Sequence, residues 1–212
     1  MTVRGNTTPQ EAASLRGDLQ PLLGQVGAPG GVAGFGALLA LGCRGRIETP
    51  EALSRFLIEY RDQLLLPVEL PAVIRAYQYA TQGHWKDLVE LDRSLASMGA
   101  LRPFSAASIR VGQRQLNRLR PLRDHRLLKR YREAIERGEA HGWHSVVFGV
   151  SLAVFSLPLR QGLAAYSHNT LAAFLQEGGR PLGLSAAQME DLDHEVSLPL
   201  REALRRLLPA GL

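Results

Sequence analysis

The sequence predicts an all-α protein, a single-domain bundle of about eight to ten helices joined by short loops. Apolar residues recur every three to four positions through most of the chain, whereas alternation with a period of two is never sustained. The 212 residues suit one domain, and 45% hydrophobic with only 6% aromatic residues predicts a core of mainly Leu, Ala and Val. A charged fraction of 21% is ordinary for a globular protein and excludes a disordered chain.

The N-terminal part of the chain is small, polar and then rich in glycine. We expect residues 1–18 to be a flexible leader and residues 19–212 to form the helical domain. Eight glycines, including Gly30 and Gly31, lie between positions 19 and 53. The segment has neither the spacing G-x-x-x-x-G-K-S/T nor a G-x-G-x-x-G that follows a strand. A close helix contact or a flexible turn is therefore a better interpretation than a phosphate site.

The first clearly marked helix begins at Thr49. The run Thr49-Pro50-Glu51 combines an N-cap, a proline in the first turn and an acid near the helix N-terminus. Pro67 is expected to end or kink this helix. A second helix over 69–80 and a third over 85–98 are each followed by a glycine.

Further helices are predicted along the second half of the chain. Residues 104–119 and 123–137 predict a fourth and a fifth helix, and the apolar segments 143–155 and 159–176 predict two buried ones. Ser185 is placed to cap another helix, and Pro199 is expected to begin the last one, which is amphipathic.

Basic residues are concentrated in residues 110–137. This stretch has ten basic and three acidic residues, although the whole chain carries a net charge of only +5. Arg110, Arg114 and Arg118 recur at four-residue spacing and form a ridge on one side of the fourth helix. A solvated helix face, a docking surface for an acidic protein and a nucleic-acid surface are all compatible with this pattern. Scarce Lys and a single aromatic, Tyr131, disfavour nucleic acid, and of the two binding interpretations we favour the protein surface.

No residue pattern predicts a catalytic site, a cofactor or a resident metal. Cys43 is the only cysteine, which excludes an internal disulfide and a cysteine-cluster metal site. His141 and His144 stand three apart, but Gly142 lies between them and no third ligand has a fixed spacing. We interpret one as solvated and the other as a helix-entry residue.

Two looser groups of polar residues are candidate sites. An acidic cluster near position 193 is interpreted as a solvated helix end rather than a cation site. An enzyme would instead need a pocket that gathers several of the histidines His84, His125, His141, His144 and His168.

The sequence also indicates where the protein resides. The most apolar run, 146–159, has 14 residues, whereas a membrane-spanning helix needs about 20. The first residues lack the apolar centre of a secretory signal, and one cysteine suits a reducing compartment. We therefore expect a cytoplasmic protein.

Five segments, taken in order, resemble the urease accessory protein UreF family over about residues 19–192. VELDRSL at 89–95 is similar to the family's ALDxxL helix, and HSVVFG at 144–149 to its H-x-x-V-x-x/F-G entry to a buried helix. Residues 157–175 resemble the helix that follows, and PLGLSAAQ at 181–188 resembles P-L-G-Q-T-x-G-Q. The family's R-E-A-S-x-x-M-G helix is matched by Arg102, Ala107, Ser108 and Gly112.

Some motif positions depart from the family pattern. In the N-terminal motif P-x-G-G-F-x-Y/H-S-x-G-L-E, Gly30 and Gly31 match, but Val32 and Leu39 stand at the Phe and the Glu. Leu184 replaces the first Gln of the later motif. The polar members of both motifs are largely absent, which indicates a divergent member.

The resemblance implies an all-helical, cytoplasmic homodimer that performs no bond chemistry and needs no cofactor. Such a protein joins UreD (also called UreH) and the GTPase UreG in a complex that inserts nickel into apo-urease, and it regulates GTP turnover. An Arg-rich nucleic-acid binder remains the alternative. The residues expected to face partners are Gly30, Gly31, Arg110, Arg114, Arg118, Pro181, Gly183 and Gln188.

Overall fold

The computed structural model describes residues 47–119 and 125–207, and it confirms the predicted all-α class. Helices account for 83% of these residues, and none of these residues lies in a strand. The predicted leader and the glycines Gly30 and Gly31 lie outside the described residues. The α-helices are, in chain order, α1 (Pro50–Tyr60), α2 (Leu70–Gln82), α3 (Trp85–Ala96), α4 (Ser105–Arg118), α5 (Arg126–Glu136), α6 (His144–Val154), α7 (Leu159–Gly179) and α8 (Ala186–Leu207).

A π-helical segment, Arg61–Glu69, joins α1 to α2 without a break. Because these three elements form one continuous helix, the described residues contain seven separate helices, slightly fewer than the predicted eight to ten. Pro67, predicted to end or kink the helix, does not end it but lies inside the π segment. The wider π turn accommodates a residue that has no backbone N–H to donate.

The N-terminus of α1 forms as the sequence predicts. Thr49 Oγ1 accepts a hydrogen bond from the backbone N–H of Ala52 at 3.2 Å, and Pro50 lies in the first turn. A backbone hydrogen bond and a weaker effect of the Thr49 hydroxyl lower the pKa of Glu51, which stands at the positive end of the helix dipole.

The last predicted helix boundary is wrong. Pro199 was expected to begin a helix, but it lies inside α8, which is continuous from Ala186 to Leu207. Val196 and Leu200, on either side of the proline along the chain, are both buried. Arg61 Nη1 also donates a hydrogen bond to the carbonyl oxygen of Val196 at 3.0 Å. Tertiary contacts therefore stabilise the helix across a residue that would interrupt it locally.

α6 lies at the centre of the described bundle. It packs against α2 and α4 and also contacts α3 and α7. Its residues from His144 to Leu152 are all buried, which confirms that this apolar segment forms a buried helix. Gly149 permits the close approach of α2, because a Cβ atom at this position would lie 2.8 Å from the Cβ of Ala76.

α7 and α8 pack along each other and against α1. An aromatic cluster fills the space near α7, and the rings of Tyr60 and Phe174 have centroids 4.7 Å apart. Phe104 contributes a ring whose centroid is 5.2 Å from that of Tyr60. Across 47–119 and 125–207, no helix combines the length and the apolarity required to cross a membrane.

Candidate functional site

Three of the segments that carry the sequence motifs, around Asp92, Ser108 and His144, meet at the N-terminus of α6. Asp92 of α3 is completely buried, and its Oδ2 atom accepts hydrogen bonds from the hydroxyl of Tyr131 at 2.6 Å and from the N–H groups of Gly142 and Trp143 at 3.0 Å. Its Oδ1 atom accepts the N–H of His141. Three consecutive N–H groups at a helix N-terminus form an anion-binding nest, which stabilises a buried carboxylate.

α4 contacts the same loop through two small residues. The N–H of His144 donates to Ser108 Oγ at 3.3 Å. A Cβ atom at Gly112 would lie 2.8 Å from the backbone nitrogen of His144, so only glycine permits this contact. We call this arrangement the motif junction, and define it as Asp92, Ser108, Gly112 and the backbone of residues 141–144.

Three longer polar side chains fix α4 further. Gln115 is buried and donates to Ser151 Oγ of α6 at 3.1 Å, while Gln113 donates to the carbonyl oxygen of His141 at 3.0 Å. Arg132 of α5 donates to the carbonyl oxygen of Leu116, near the C-terminus of α4. These contacts restrain both the position of α4 and its rotation about its own axis.

The predicted basic ridge lies on the opposite, exposed side of α4. Arg110, Arg114 and Arg118 are all exposed, and α4 contains no acidic residue. Among the described residues, no acidic side chain forms an ion pair with Arg110 or Arg118. Like charges four residues apart disfavour a helix by a few tenths of a kcal/mol per pair. The buried side of α4 therefore stabilises a helix whose outer side carries only positive charge.

The turn between α7 and α8 carries the other described residues of the predicted partner surface. Pro181 and Gly183 are exposed, and Gly183 has a φ of +65°. Ser185 and Gln188 form a reciprocal capping box: the N–H of Ser185 donates to Gln188 Oε1 at 2.9 Å, and the N–H of Gln188 donates to Ser185 Oγ at 3.3 Å. Gln188 is thus engaged within its own turn. The turn lies between α7 and α8, whereas the ridge lies on α4, which packs on α6. The two therefore belong to different parts of the bundle.

The histidines have separate environments. His144 is the first residue of α6, and burial lowers its pKa to about 4. His141 is half-buried, and its backbone takes part in the motif junction. Within the described ranges, no group of three or more His, Cys, Asp or Glu residues is placed to bind a metal ion.

An open pocket of about 440 Å³ lies between α7 and α8. Of the five histidines that an enzyme pocket would need to gather, His168 lines this pocket, together with His194 of the acidic cluster. Arg201 and Glu190 contribute opposite charges to the same pocket. The pocket therefore gathers side chains of both charges.

Two buried acids were missed as important residues by motif reasoning. Asp92 lies on the apolar stripe of α3 between Leu91 and Leu95, and Glu69 lies next to Leu70 at the start of α2. An acid at a position that helical periodicity assigns to the core is the signal that identifies such residues. It shows that a buried acid has polar partners elsewhere in the fold, although it does not name them.

These features define an all-α bundle in which one buried polar junction connects α3, α4 and α5 to the N-terminus of α6. The sequence model of the UreF family matches residues 47–190. The chain is 23% identical to the urease accessory protein UreF of Ureaplasma urealyticum serovar 10 over 146 residues, which is 69% of this chain and 62% of the relative. It is 25% identical to that of Actinobacillus pleuropneumoniae serotype 5b over 121 residues, 57% of this chain and 53% of the relative. The chain belongs to the UreF family, and its aligned part spans less than two thirds of either relative.

Proposed function

We propose that this chain is a non-enzymatic urease accessory protein that connects other accessory proteins during nickel insertion into apo-urease. Its UreF family membership and the name of the curated relatives support the proposal. The partners implied by the resemblance are UreD (also called UreH) and the GTPase UreG, whose GTP turnover the chain would regulate. Nickel is the cargo of that complex, and the chain acts there as a cytoplasmic homodimer without a catalytic residue, cofactor or resident metal.

The observation that carries the proposal is the arrangement of α4. Its inner side is fixed by the motif junction, by Gln115 and by the contact from Arg132. Its outer side presents three arginines at one-turn spacing and no acid. A rigid helix with a prepositioned charged side loses little conformational entropy when a partner binds.

The chemistry of the ridge favours an acidic protein surface. The planar guanidinium group binds a carboxylate through two parallel hydrogen bonds. A pair buried in an interface contributes a few kcal/mol, whereas a pair on the rim contributes less than about 1 kcal/mol. We assign the complementary acidic surface to UreD or UreG, and we place a second contact at the exposed Pro181 and Gly183 of the α7–α8 turn.

Charge reversal of the ridge tests this assignment. The triple variant Arg110→Glu, Arg114→Glu and Arg118→Glu is co-expressed with UreD, UreG and the urease subunits, and complex recovery is measured by affinity pull-down. The matched control reverses three exposed basic residues outside the ridge by the same total charge: Arg75, Lys86 and Arg93.

We expect the ridge variant to lose the complex at least tenfold while its circular dichroism and melting temperature match those of the control. A folded ridge variant that still forms the complex would show that the ridge is an ordinary solvated helix face. Retention on immobilised DNA at two salt concentrations is measured in parallel. Loss of DNA retention with an intact protein complex would support the nucleic-acid alternative.

The homodimer is tested separately by light scattering of the purified chain. A mass of twice 23.2 kDa supports it, and a monomer at micromolar concentration contradicts it.

A further inference from the structure

A buried acid, a buried base and two phenols meet where the π segment joins α2. Glu69, the last residue of the π segment, is 5% exposed, and the hydroxyls of Tyr60 and Tyr166 are near enough to its carboxyl group to lower its pKa. Its Oε2 atom has no hydrogen-bond partner among the described residues. The ring of His144 lies with its centroid 5.0 Å from that of Tyr166, and Ser145 hydrogen-bonds the same tyrosine.

We propose that Glu69, Tyr60, Tyr166 and His144 form a pH-responsive switch, in which loss of the Glu69 proton weakens the packing of α7 against α2. A neutral carboxyl between two phenols is compatible with this buried site. Among residues 47–119 and 125–207, a carboxylate there retains an oxygen without a hydrogen-bond partner and forms no ion pair with a cation. The same site therefore stabilises the bundle in one protonation state and destabilises it in the other.

The titratable groups of this site other than Glu69 lie on three helices. α1 contributes Tyr60, α6 contributes His144 and α7 contributes Tyr166. The buried guanidinium of the π segment, Arg61, does not compensate the acid, because it binds Asp62 at 2.7 and 2.9 Å and the carbonyl oxygen of Val196.

The two titrations act in opposite directions. Burial raises the pKa of Glu69 to about 7 from an ordinary 4.5, although the tyrosine hydroxyls partly offset the effect. The folded chain therefore binds more protons at Glu69 than the unfolded chain, and stability falls as pH rises from about 4.5 to about 7. Burial lowers the pKa of His144 to about 4 from 6.5, so its contribution to stability is lost as pH falls through this range.

Between about pH 4.5 and pH 6.5 the contributions of Glu69 and His144 to stability oppose each other, because the fold raises the pKa of one group and lowers that of the other. The net loss of stability of the wild type therefore begins above about pH 6.5, where only Glu69 still titrates. When either group is removed, the dependence of stability on pH that the other group causes is no longer offset. In the Glu69→Gln variant, stability rises with pH in this window. In the His144→Gln variant, it falls with pH.

Urea unfolding of the full chain from pH 4 to pH 8.5 tests the switch. The control is Glu59→Gln, an exposed acid on α1. We expect the unfolding constant of the wild type relative to Glu69→Gln to rise up to about tenfold per pH unit and by a few hundredfold in all, then to level off above about pH 8. A ratio that is constant across this range, as expected for the control, would overturn the proposal.

A second variant and a direct measurement keep the test decisive if Glu69→Gln does not fold. Tyr166→Phe removes a hydroxyl that lowers the pKa of Glu69, so the pH midpoint of the stability change should move upward. Infrared difference spectra of the wild type should show a protonated carboxyl band that disappears with a midpoint near pH 7. A carboxyl band that is lost by pH 5 would show that Glu69 titrates normally and that no switch exists.

Discussion

Replacement of Asp92 by Asn tests whether the buried carboxylate stabilises the motif junction. The side chain has the same shape, but it loses the negative charge and presents an amide N–H₂ group where one oxygen stood. With its oxygen at the Oδ2 position, Asn can still accept from Tyr131, Gly142 and Trp143. The amide nitrogen then faces the N–H of His141, which loses its acceptor.

The magnitude follows from these four bonds. Hydrogen bonds to a charged acceptor contribute about 1.5–3 kcal/mol and neutral ones about 0.5–1.5 kcal/mol, so three weakened bonds cost about 3 kcal/mol. The unpaired N–H of His141 adds about 1 kcal/mol, whereas burial of a neutral group in place of a charge returns part of the loss. We expect a net loss of about 2–4 kcal/mol in the free energy of unfolding.

Thermal and urea unfolding of both proteins provide the measurement. The expected loss lowers the melting temperature by about 5–15 °C for a chain of this size. The control is Glu90→Gln on the same helix, whose exposed carboxylate lies 3.6 Å from Arg93 and should contribute less than about 1 kcal/mol. If Asp92→Asn costs no more than this control, the carboxylate does not stabilise the junction and the reasoning fails.

Three further changes test other contacts. Gly112→Ala should cost about 3 kcal/mol or more in unfolding free energy, because the new methyl group meets backbone atoms of residues 142–144, whereas Gly99→Ala, which has open space, should be nearly neutral; equal effects in thermal melts would contradict this contact. Ser185→Ala should cost about 0.5–2 kcal/mol through loss of the capping box, and an unchanged melting temperature would show that the α8 cap contributes nothing. Arg61→Met should speed proteolysis of α8 near Pro199 by removing the bond to Val196, and an unchanged cleavage rate would disprove this coupling.

The helices were predictable wherever local signals agree with packing. The Thr49 cap, the Ser185 cap and the buried α6 follow from short patterns that need no distant partner. Pro67 does not end its helix and Pro199 does not begin one, because proline rules describe an isolated helix. Here a π turn accommodates the first, and burial of α8 with the bond from Arg61 compensates for the second.

The candidate site was predictable only on its exposed side. Four-residue spacing was enough to place Arg110, Arg114 and Arg118 together on one side of α4. The partners of Asp92 were not predictable, because Asp92 and the 141–143 backbone are about fifty residues apart and no local rule connects them. Local periodicity identifies a polar residue on a core stripe, but only the tertiary fold identifies its donors.

The separation of the two sides of α4 has an evolutionary consequence. Substitutions at Ser108, Gly112 or Gln115 alter contacts with the motif junction or with α6, so they affect folding first. Substitutions at the exposed arginines leave those contacts intact, and surface changes of this kind usually alter stability by less than about 0.5 kcal/mol. The outer side of α4 can therefore change its charge pattern to follow a co-evolving partner, while the inner side preserves the orientation in which any such pattern is displayed.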